Sequence, residues 1–265
     1  MKQLKIALLG YGKMGKEIEK TALERKHSII AVIDNEQDWQ EKASLLAQAD
    51  VAIDFSTPSA APGNIERCFQ HHLPIVVGTT GWDKAMPEIR ERCLAENQSL
   101  FTASNFSIGV YIFMATARFL SSKMEQQNAY HASIEEIHHI HKLDKPSGTA
   151  ITLAKNVMDC HSRYKDWQLA ESPVPATQGG QEAGPRPGNA PIPCPAVPDG
   201  ILPIVSLREG ETVGTHRLFF DSAIDTIELS HTAKSRQGFA LGAVMAAEWL
   251  PGKTGCFGMQ DLLGF

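Results

Sequence analysis

The feature that most constrains the fold is a glycine-rich turn that follows a strand-like segment at the start of the chain. Residues 4–9 (LKIALL) are mostly apolar, and Gly10-Tyr11-Gly12-Lys13-Met14-Gly15 comes directly after them. Apolar residues then recur at helical spacing to about residue 26, and residues 28–33 have the pattern of a second strand. This order predicts a βαβ unit that binds a dinucleotide.

The residues of this unit indicate how a dinucleotide would be held. Gly10, Gly12 and Gly15 permit a tight turn and let the backbone approach a pyrophosphate at the helix N-terminus. Asp34 ends the second strand, where a carboxylate accepts hydrogen bonds from the ribose hydroxyls of NAD. A structural glycine turn without a ligand is the alternative.

Strand and helix patterns keep alternating as far as residue 103. Strands are expected at 51–55, 74–77 and 99–103, with helices at 60–69 and 84–94. Such alternation predicts parallel strands with right-handed crossovers, hence a doubly wound, Rossmann-type sheet of the α/β class. Ligands of these sheets bind beyond the carboxyl ends of the strands. Three segments rich in small or hydroxyl residues lie there: Ser56-Thr57, Gly78-Thr79-Thr80-Gly81 and Ala103-Ser104-Asn105-Phe106.

The densest group of chemically active side chains lies at 136–150 (EIHHIHKLDKPSGTA). A helical pattern starts near Ser147, a natural N-cap, so the N–H groups of Gly148 and Thr149 would point out of the helix start. A helix N-terminus binds anions, including carboxylates. With Lys142 and three histidines just upstream, the segment predicts a pocket for an acidic substrate that receives a proton.

The histidine segment has two other interpretations. It could be a solvated surface loop, since adjacent histidines on an unbroken strand point to opposite faces. It could also hold zinc, because Glu136, His138, His139 and His141 are all possible ligands. We expect no metal, because these histidines are crowded on one short segment and no cysteine pair lies near them.

The rest of the chain predicts a second, smaller α+β domain. Short turns separate its last three strand patterns, which indicates antiparallel neighbours and therefore a mixed or antiparallel sheet. The final helix is expected to return to the first domain. The expected elements are a helix at 108–120, strands at 130–137, 204–208, 212–220 and 226–230, and a helix at 237–249.

A proline- and glycine-rich insertion at about 167–203 interrupts this second domain. Nine of the fifteen prolines lie between Pro173 and Pro203. Proline removes backbone donors and fixes the φ angle, so we expect neither a helix nor a central strand there.

Composition excludes several classes of protein. The net charge of −5 gives no reason to expect nucleic acid or an anionic membrane as a partner. No apolar run approaches transmembrane length, and the chain begins with a strand pattern instead of a signal peptide. The five cysteines are scattered without metal or redox spacing, as expected of a cytoplasmic protein with reduced thiols.

The order Glu-x-His-His-x-x-Lys-x-Asp-x-Pro-Ser-Gly-Thr-Ala at 136–150 resembles the signature of the bacterial dihydrodipicolinate reductase (4-hydroxy-tetrahydrodipicolinate reductase) family. Segments at 206–210 (SLREG) and 228–236 (ELSHTAKSR) are similar to family segments too, so the resemblance spans nearly the whole chain. One departure lies in the glycine turn, which is one residue shorter than in many members and has Lys13 in place of arginine.

The resemblance implies a domain plan and an activity. Residues 1–106 and 235–265 would form a dinucleotide-binding domain, and residues 107–234 a substrate domain whose sheet builds a homotetramer. The implied reaction is NAD(P)H-dependent reduction of a small dicarboxylate, 4-hydroxy-tetrahydrodipicolinate or its dehydrated form dihydrodipicolinate. The product would be tetrahydrodipicolinate, in diaminopimelate and lysine biosynthesis.

The resemblance also assigns roles to residues. His138 would be the proton donor or acceptor and Lys142 a second proton donor. Substrate would be bound by His139, Ser147, Gly148 and Thr149. Outside Gly10, Gly12, Gly15 and Asp34, cofactor contacts are implied for Tyr11, Lys13, Met14, Gly78, Thr79, Thr80, Ala103, Ser104, Asn105 and Phe106.

The sequence favours NADH over NADPH, although both are possible cofactors. Asp34 is followed by Asn35 and Glu36 instead of a basic residue, so a 2′-phosphate would lie against acidic groups. Lys13 is the nearby cation that could favour NADPH.

Two other functions would share the glycine turn. Another two-domain NAD(P)-dependent dehydrogenase of amino-acid metabolism would have no reason to combine His-His-x-x-Lys with Ser-Gly-Thr. A non-catalytic NAD-binding regulatory module would keep the glycines and Asp34 and lose the histidine segment, which is intact here.

Overall fold

The protein is described by a computed structural model that covers residues 2–171 and 197–264. The chain divides into two compact units, Met1–Tyr111 with Arg236–Phe265 and Ile112–Ser235. The sequence predicts divisions at 106 and 234, and the functions assigned to the two parts stay predictions. Most of the proline-rich insertion, residues 172–196, lies outside the described residues.

The described residues form strands and helices that alternate through the first part of the chain. The strands are β1 (Lys5–Leu9), β2 (Ser28–Ile33), β3 (Val51–Asp54), β4 (Ile75–Val77), β5 (Ser99–Thr102), β6 (His131–His138), β7 (Asp166–Ala170), β8 (Ile201–Arg208), β9 (Gly214–Asp221), β10 (Thr226–Ala233) and β11 (Gly255–Phe257). The helices are α1 (Lys13–Glu24), α2 (Glu36–Leu46), α3 (Ala61–Gln70), α4 (Met86–Ala95), α5 (Ile108–Met124), α6 (Gly148–Cys160), α7 (Gln237–Trp249) and α8 (Met259–Leu263).

The first unit is built on a six-stranded parallel sheet in the order β11-β5-β4-β3-β1-β2. Side chains of β1 alternate between its two faces: Ala7 and Leu9 pack into one core with α2, α3 and α4, while Ile6 and Leu8 pack into the other with α1 and α7. Because both faces are covered, the strands are apolar throughout. The predicted doubly wound, Rossmann-type sheet is confirmed.

The second unit contains a five-stranded mixed sheet in the order β10-β9-β6-β8-β7. The central strand β6 is parallel to β8 and antiparallel to β9. The predicted mixed or antiparallel sheet is therefore confirmed as a mixed one. None of the helices in the described ranges has the length and apolar character that a bilayer crossing requires.

Two expectations about this sheet are wrong. Strands β8 and β9 are not neighbours, because the connection between them crosses the end of β6, where Glu209 donates to the carbonyl of His138 and Ile140 donates to that of Gly210. The insertion also contributes strand residues: β7 and the start of β8, with Pro203, lie in it. Pro203 is tolerated because it pairs with β7 only, since the β6 register begins one residue later.

Local sequence explains several helix ends. Ser147 caps α6 by accepting from the N–H of Ala150 at 3.2 Å, as predicted, and α7 has the predicted bounds. Asn35 caps α2 by accepting from the N–H of Asp38. Sequence patterns did not predict α2, α8, β7 or β11, which are short or have mixed patterns.

Helix α7 offers a matched test of packing. A Cβ atom at Gly242 would lie 1.8 Å from the carbonyl oxygen of Phe106, whereas one at Gly238 would come no closer than 3.8 Å to Ser107. Gly242→Ala should lower the free energy of unfolding by about 1–3 kcal/mol, because backbone must move. Gly238→Ala should leave it unchanged or raise it by up to ~1 kcal/mol, since alanine favours helix. Urea denaturation of both variants measures the difference, and equal stabilities would contradict this packing.

Candidate active site

The three glycines of the turn after β1 have three different roles. Gly10 has φ +86°, and a Cβ there would lie 2.5 Å from the carbonyl oxygen of Phe55. A Cβ at Gly15 would lie 2.4 Å from the carbonyl oxygen of Gly10, so α1 approaches the strand closely. Gly12 has open space around it, which is what a pyrophosphate at the start of α1 needs. The turn fits the predicted dinucleotide.

The other residues of this turn differ in what they offer a cofactor. The N–H of Tyr11 donates to Oδ1 of Asp34 at 2.7 Å, which fixes that carboxylate at the end of β2. The Tyr11 hydroxyl turns back to Glu19 on α1, and Met14 packs against the core. Lys13 is exposed in the first turn of α1. Asp34 is exposed, and its predicted contact with a ribose stays a prediction.

A pocket of about 290 Å³ lies beside Asp34, where the adenosine end of a dinucleotide is expected. Gly10 and Ile33 line it, together with Glu36 and Trp39 from α2 and Arg67 from α3. It lies beyond the carboxyl ends of β1, β2 and β3, where ligands of doubly wound sheets bind.

A buried carboxylate organises the next part of this edge. Asp54, at the end of β3, is fully buried and accepts hydrogen bonds from the Thr79 hydroxyl at 2.6 Å and the Asn64 amide at 2.6 Å, and from the hydroxyl of Ser56. Thr79 in turn accepts from the N–H of Ser56 at 2.9 Å. Asp54 therefore ties together the loops that follow β3 and β4, which hold the predicted cofactor residues Gly78, Thr79 and Thr80.

The loop after β5 is anchored in the core by one of its own residues. Phe106 is buried, and its ring centroid lies 5.6 Å from that of Phe55 and 5.9 Å from that of Phe101. Its side chain therefore packs in the core. Asn105 accepts from the N–H of Ser107 at 2.8 Å, while Ala103 and Ser104 are half-buried and exposed. Gly78 packs against Phe55 as well, since a Cβ there would overlap the ring. The cofactor contact predicted for Phe106 stays a prediction.

In the second unit, the strand pairing brings the histidine segment together with residues of β8 and β9. Glu136 of β6 stands opposite Ser206 of β8 and His216 of β9 in the sheet register, and His138 stands opposite Arg208. All five lie on the same face of the sheet, because residues opposite each other on neighbouring strands share a face, and so do residues two apart on one strand. The result is a cluster of acid, imidazole, guanidinium and hydroxyl groups.

Glu136 is the centre of this cluster. Its carboxylate is fully buried and accepts the N–H of Ser147 at 3.0 and 3.1 Å and the hydroxyl of Ser206. Arg208 lies 3.6 Å from it. Burial alone would raise the pKa of Glu136, but the hydrogen bonds from Ser147 and Ser206 outweigh burial and hold that pKa below its usual value. The carboxylate is therefore charged.

His138 is buried between Glu136 and Gly214. Its Nδ1 lies 3.5 Å from Oε2 of Glu136, the separation of an ion pair and too long for a good hydrogen bond. Gly214 leaves space beside Nε2, since a Cβ there would come within 3.1 Å of that nitrogen. Burial lowers the pKa of His138, the charges of Lys142 and Arg208 lower it further, and Glu136 opposes them.

Lys142 and His139 lie on the loop that leaves β6. The Lys142 ammonium pairs with Asp144 at 2.8 Å and is partly exposed, and Arg208 donates to the Lys142 carbonyl at 3.2 Å. The strand ends at His138, so the alternation of faces does not continue to His139, which is half-buried and has no hydrogen bond at Nδ1 in the structure described. Arg208 thus fixes the loop that carries Lys142.

The predicted anion site at the start of α6 has a buried part, Ser147, and a more accessible part, Gly148 and Thr149. Ser147 is buried: its N–H donates to Glu136, and its hydroxyl caps α6 and lies 3.2 Å from Nε2 of His216. Its polar atoms are therefore engaged inside the protein. Gly148 is exposed and Thr149 half-buried, and as the first residues of α6 their N–H groups have no acceptor within the helix. These two N–H groups are the part available to an anion.

Three donor atoms of the cluster are close enough to share a metal ion. Those of Glu136, His138 and His216 lie within 4.8 Å of one another. However, both oxygens of Glu136 already accept hydrogen bonds, and the Arg208 guanidinium next to it repels a cation. The donor set does not fit a resident metal well, and the sequence expectation of none stays an expectation.

Sequence reasoning missed several residues that build these two sites. His216 and Arg208 enter through strand pairing, which a single sequence does not display. Asp54 carried one signal: an acidic residue inside the apolar run 51–55 (VAIDF) that needs hydrogen-bonding partners if it is buried. Arg67 lies on a helix about thirty residues beyond Asp34, and only the folded chain brings it to the pocket.

Comparison with known proteins gives concordant results. Two family models match: "Dihydrodipicolinate reductase, N-terminus" over residues 4–106 and "Dihydrodipicolinate reductase, C-terminus" over residues 109–263. A 4-hydroxy-tetrahydrodipicolinate reductase from Christiangramia forsetii is 44% identical over 260 residues, 98% of this chain and 98% of that protein. One from Neisseria gonorrhoeae is 35% identical over 225 residues, 83% of this chain and 75% of that protein.

A solved structure agrees at the level of the fold. The dipicolinate-bound dihydrodipicolinate reductase from Paenisporosarcina sp. TG-14 superposes with a TM-score of 0.74 at 22% identity, covering 98% of this chain and 99% of that one. The matched residues include both the parallel sheet and the mixed sheet.

The glycine turn, the parallel sheet and the second unit with its buried acid–imidazole cluster define a two-unit oxidoreductase that uses a pyridine nucleotide. Within that class, the chain belongs to the dihydrodipicolinate reductase family. The predicted family, fold and enzyme class are confirmed. Family membership sets aside both the other amino-acid dehydrogenase and the non-catalytic regulatory module.

The buried imidazole of His216 predicts how stability depends on pH. Burial, together with nearby His138, lowers the pKa of His216 to about 4, while the unfolded chain takes up this proton below about pH 6.5. Stability from the neutral imidazole is therefore present above pH 6.5 and is lost as pH falls toward 4. Between pH 7 and 5 the unmodified protein should lose about 2 kcal/mol more than His216→Gln does.

Urea denaturation at the two pH values measures this loss. His141→Gln is the matched control, because it makes the same replacement at an exposed histidine outside the buried cluster. Equal losses in the unmodified protein and His216→Gln would mean that the folded protein protonates His216 as readily as the unfolded chain.

Proposed function

We propose that this protein catalyses the NAD(P)H-dependent reduction of 4-hydroxy-tetrahydrodipicolinate, or of dihydrodipicolinate, with His138 and Lys142 as its proton-transferring residues. The activity is that of the family, and the product is tetrahydrodipicolinate, an intermediate of diaminopimelate and lysine biosynthesis. The observation that carries the residue assignment is the position of His138, buried against the charged Glu136 with its second nitrogen beside Gly214.

The bound nicotinamide supplies the hydride. Adding a hydride to a conjugated imine leaves an electron pair that must receive a proton, which is the task of the general acid. Nδ1 of His138 faces Glu136, so Nε2 is the nitrogen that can exchange a proton with substrate. The carboxylate behind the ring stabilises the imidazolium when it forms, as a buried acid does for other catalytic histidines. Lys142 provides a second proton and a positive charge near the substrate carboxylates.

The substrate carboxylate is assigned to the start of α6. The N–H groups of Gly148 and Thr149 are available there and carry the positive end of the helix dipole. Ser147 supports this terminus as its cap and as a hydrogen-bond donor to Glu136, and it is assigned to the same substrate site. His139, with Nδ1 lacking a hydrogen bond in the structure described, is assigned to the same substrate.

The cofactor is assigned to the edge of the parallel sheet. Gly10, Gly12 and Gly15 would hold the pyrophosphate, Asp34 the adenosine ribose, and the loops of 78–80 and 103–106 the nicotinamide half. Tyr11, Lys13 and Met14 line the turn through their backbone. The homotetramer and the cytoplasmic location implied by the family complete the proposal.

His138→Ala and Lys142→Ala should each lower kcat by roughly a hundredfold or more, the effect of removing a positioned acid or base. NADH affinity should change little, because the assigned cofactor residues are those of the first unit. His141→Ala and Lys155→Ala are matched controls, since both side chains are exposed and neither is assigned a role. NADH oxidation, with substrate generated in situ by the preceding synthase, measures kcat. Full activity in both test variants would move the site elsewhere.

NADH should be preferred over NADPH. Asp34 and Glu36 bring negative charge to the ribose end of the pocket, and Asn35 is occupied in capping α2. A 2′-phosphate carries close to two negative charges and is disfavoured there. The ratio of kcat/KM for the two cofactors tests this preference, and a clear advantage for NADPH would refute it.

A further inference from the structure

A cation lines the adenosine pocket, although the sequence around Asp34 contains none. Arg67 comes from α3 and shares the pocket wall with Asp34, Asn35 and Glu36. Lys13 is not among the residues that line this pocket. The ammonium of Lys42, on α2, is engaged by the carbonyl of Val32 and by Asp38. Among the described residues, Arg67 is therefore the positive group of this pocket.

Two contacts hold the Arg67 guanidinium in place. It lies over the ring of Trp39, with Cζ 4.8 Å from the ring centroid, and Trp39 is itself buried. Its Nη2 donates to both carboxylate oxygens of Glu36, at 3.0 and 2.9 Å. The Glu36 side chain is 66% exposed, and an exposed ion pair of this kind contributes little free energy. Arg67 is thus positioned by Trp39 and can exchange Glu36 for another anion.

The position of the 2′ group follows from Asp34. When its carboxylate accepts from the ribose hydroxyls, the 2′ substituent lies in the pocket that Asp34 lines. The donors available to a phosphate there are the Arg67 guanidinium, which matches phosphate geometry, and the Asn35 amide, which already donates to Asp38. Glu36 occupies the guanidinium that a phosphate would need.

We propose that the Glu36–Arg67 pair sets the choice between NADH and NADPH in this protein. Arg67 is the specificity-determining residue that binds a 2′-phosphate, and Glu36 competes with that phosphate for it. The inference rests on the proposed function in that the pocket must hold the adenosine end of the cofactor. The residues that select the cofactor are then Glu36, the first residue of α2, and Arg67 of α3, and not Lys13 or Asn35.

The test measures equilibrium binding, so it needs no turnover. Dissociation constants for NADH and NADPH are obtained by nucleotide fluorescence for the unmodified protein, Glu36→Gln, Arg67→Met and the double variant. Glu36→Gln should tighten NADPH binding about tenfold, because it frees the guanidinium for a charge-assisted hydrogen bond, and change NADH binding less than about threefold. Adding Arg67→Met should remove the gain. The gain should also shrink at high salt.

Glu96→Gln is the matched control, because Glu96 forms an exposed pair with Arg92 on α4 and neither residue lines the pocket. It should leave both dissociation constants unchanged. Equal tightening of NADH and NADPH by Glu36→Gln would overturn the inference, since relief of general repulsion would then explain it. Retention of the gain in the double variant would overturn it as well and point to another cation. If the unmodified protein binds neither nucleotide, the proposed function fails first.

Discussion

The substrate unit depends on the hydrogen bonds and the ion pair of one buried carboxylate, that of Glu136. A buried charged group must be compensated by nearby partners, and here the compensation comes from two elements outside β6: β8 through Ser206 and Arg208, and the start of α6 through Ser147. None of these elements can shift without leaving the charge unsatisfied. The same requirement that stabilises the unit therefore also fixes the geometry of His138.

The cofactor unit uses the same principle at a different place. Asp54 is fully buried at the end of β3, and its hydrogen bonds to Ser56, Asn64 and Thr79 join two loops and a helix. Parallel strands end in loops that are free to differ in conformation. A buried acid at the strand end removes that freedom from the loops assigned to the nicotinamide, while Gly78 brings the backbone close to Phe55.

Sequence patterns predicted the features that depend on residues close together in the chain. They did not predict contacts between residues far apart in the chain. Helix α7 and the Ser147 cap follow from local apolar spacing and hydrogen bonding, so both were predicted. The order of β8, β6 and β9 depends on a connection that crosses the end of β6, and no local signal distinguishes it from a hairpin. His216 was missed for the same reason, because its relation to Glu136 exists only in the strand register.

The acidic residues of the two sites also differ in how firmly they are held. Glu136 and Asp54 are fully buried, so removing one partner leaves a polar group unsatisfied in a low-dielectric interior. Asp34 and Glu36, in contrast, are exposed at the pocket mouth, where water can replace a lost partner. The buried acidic residues thus position the groups that perform the chemistry. The exposed acidic residues, whose partners can be exchanged, lie where the cofactor differs between NADH and NADPH. Specificity for the nucleotide can therefore change through surface residues without disturbing the residues that transfer protons.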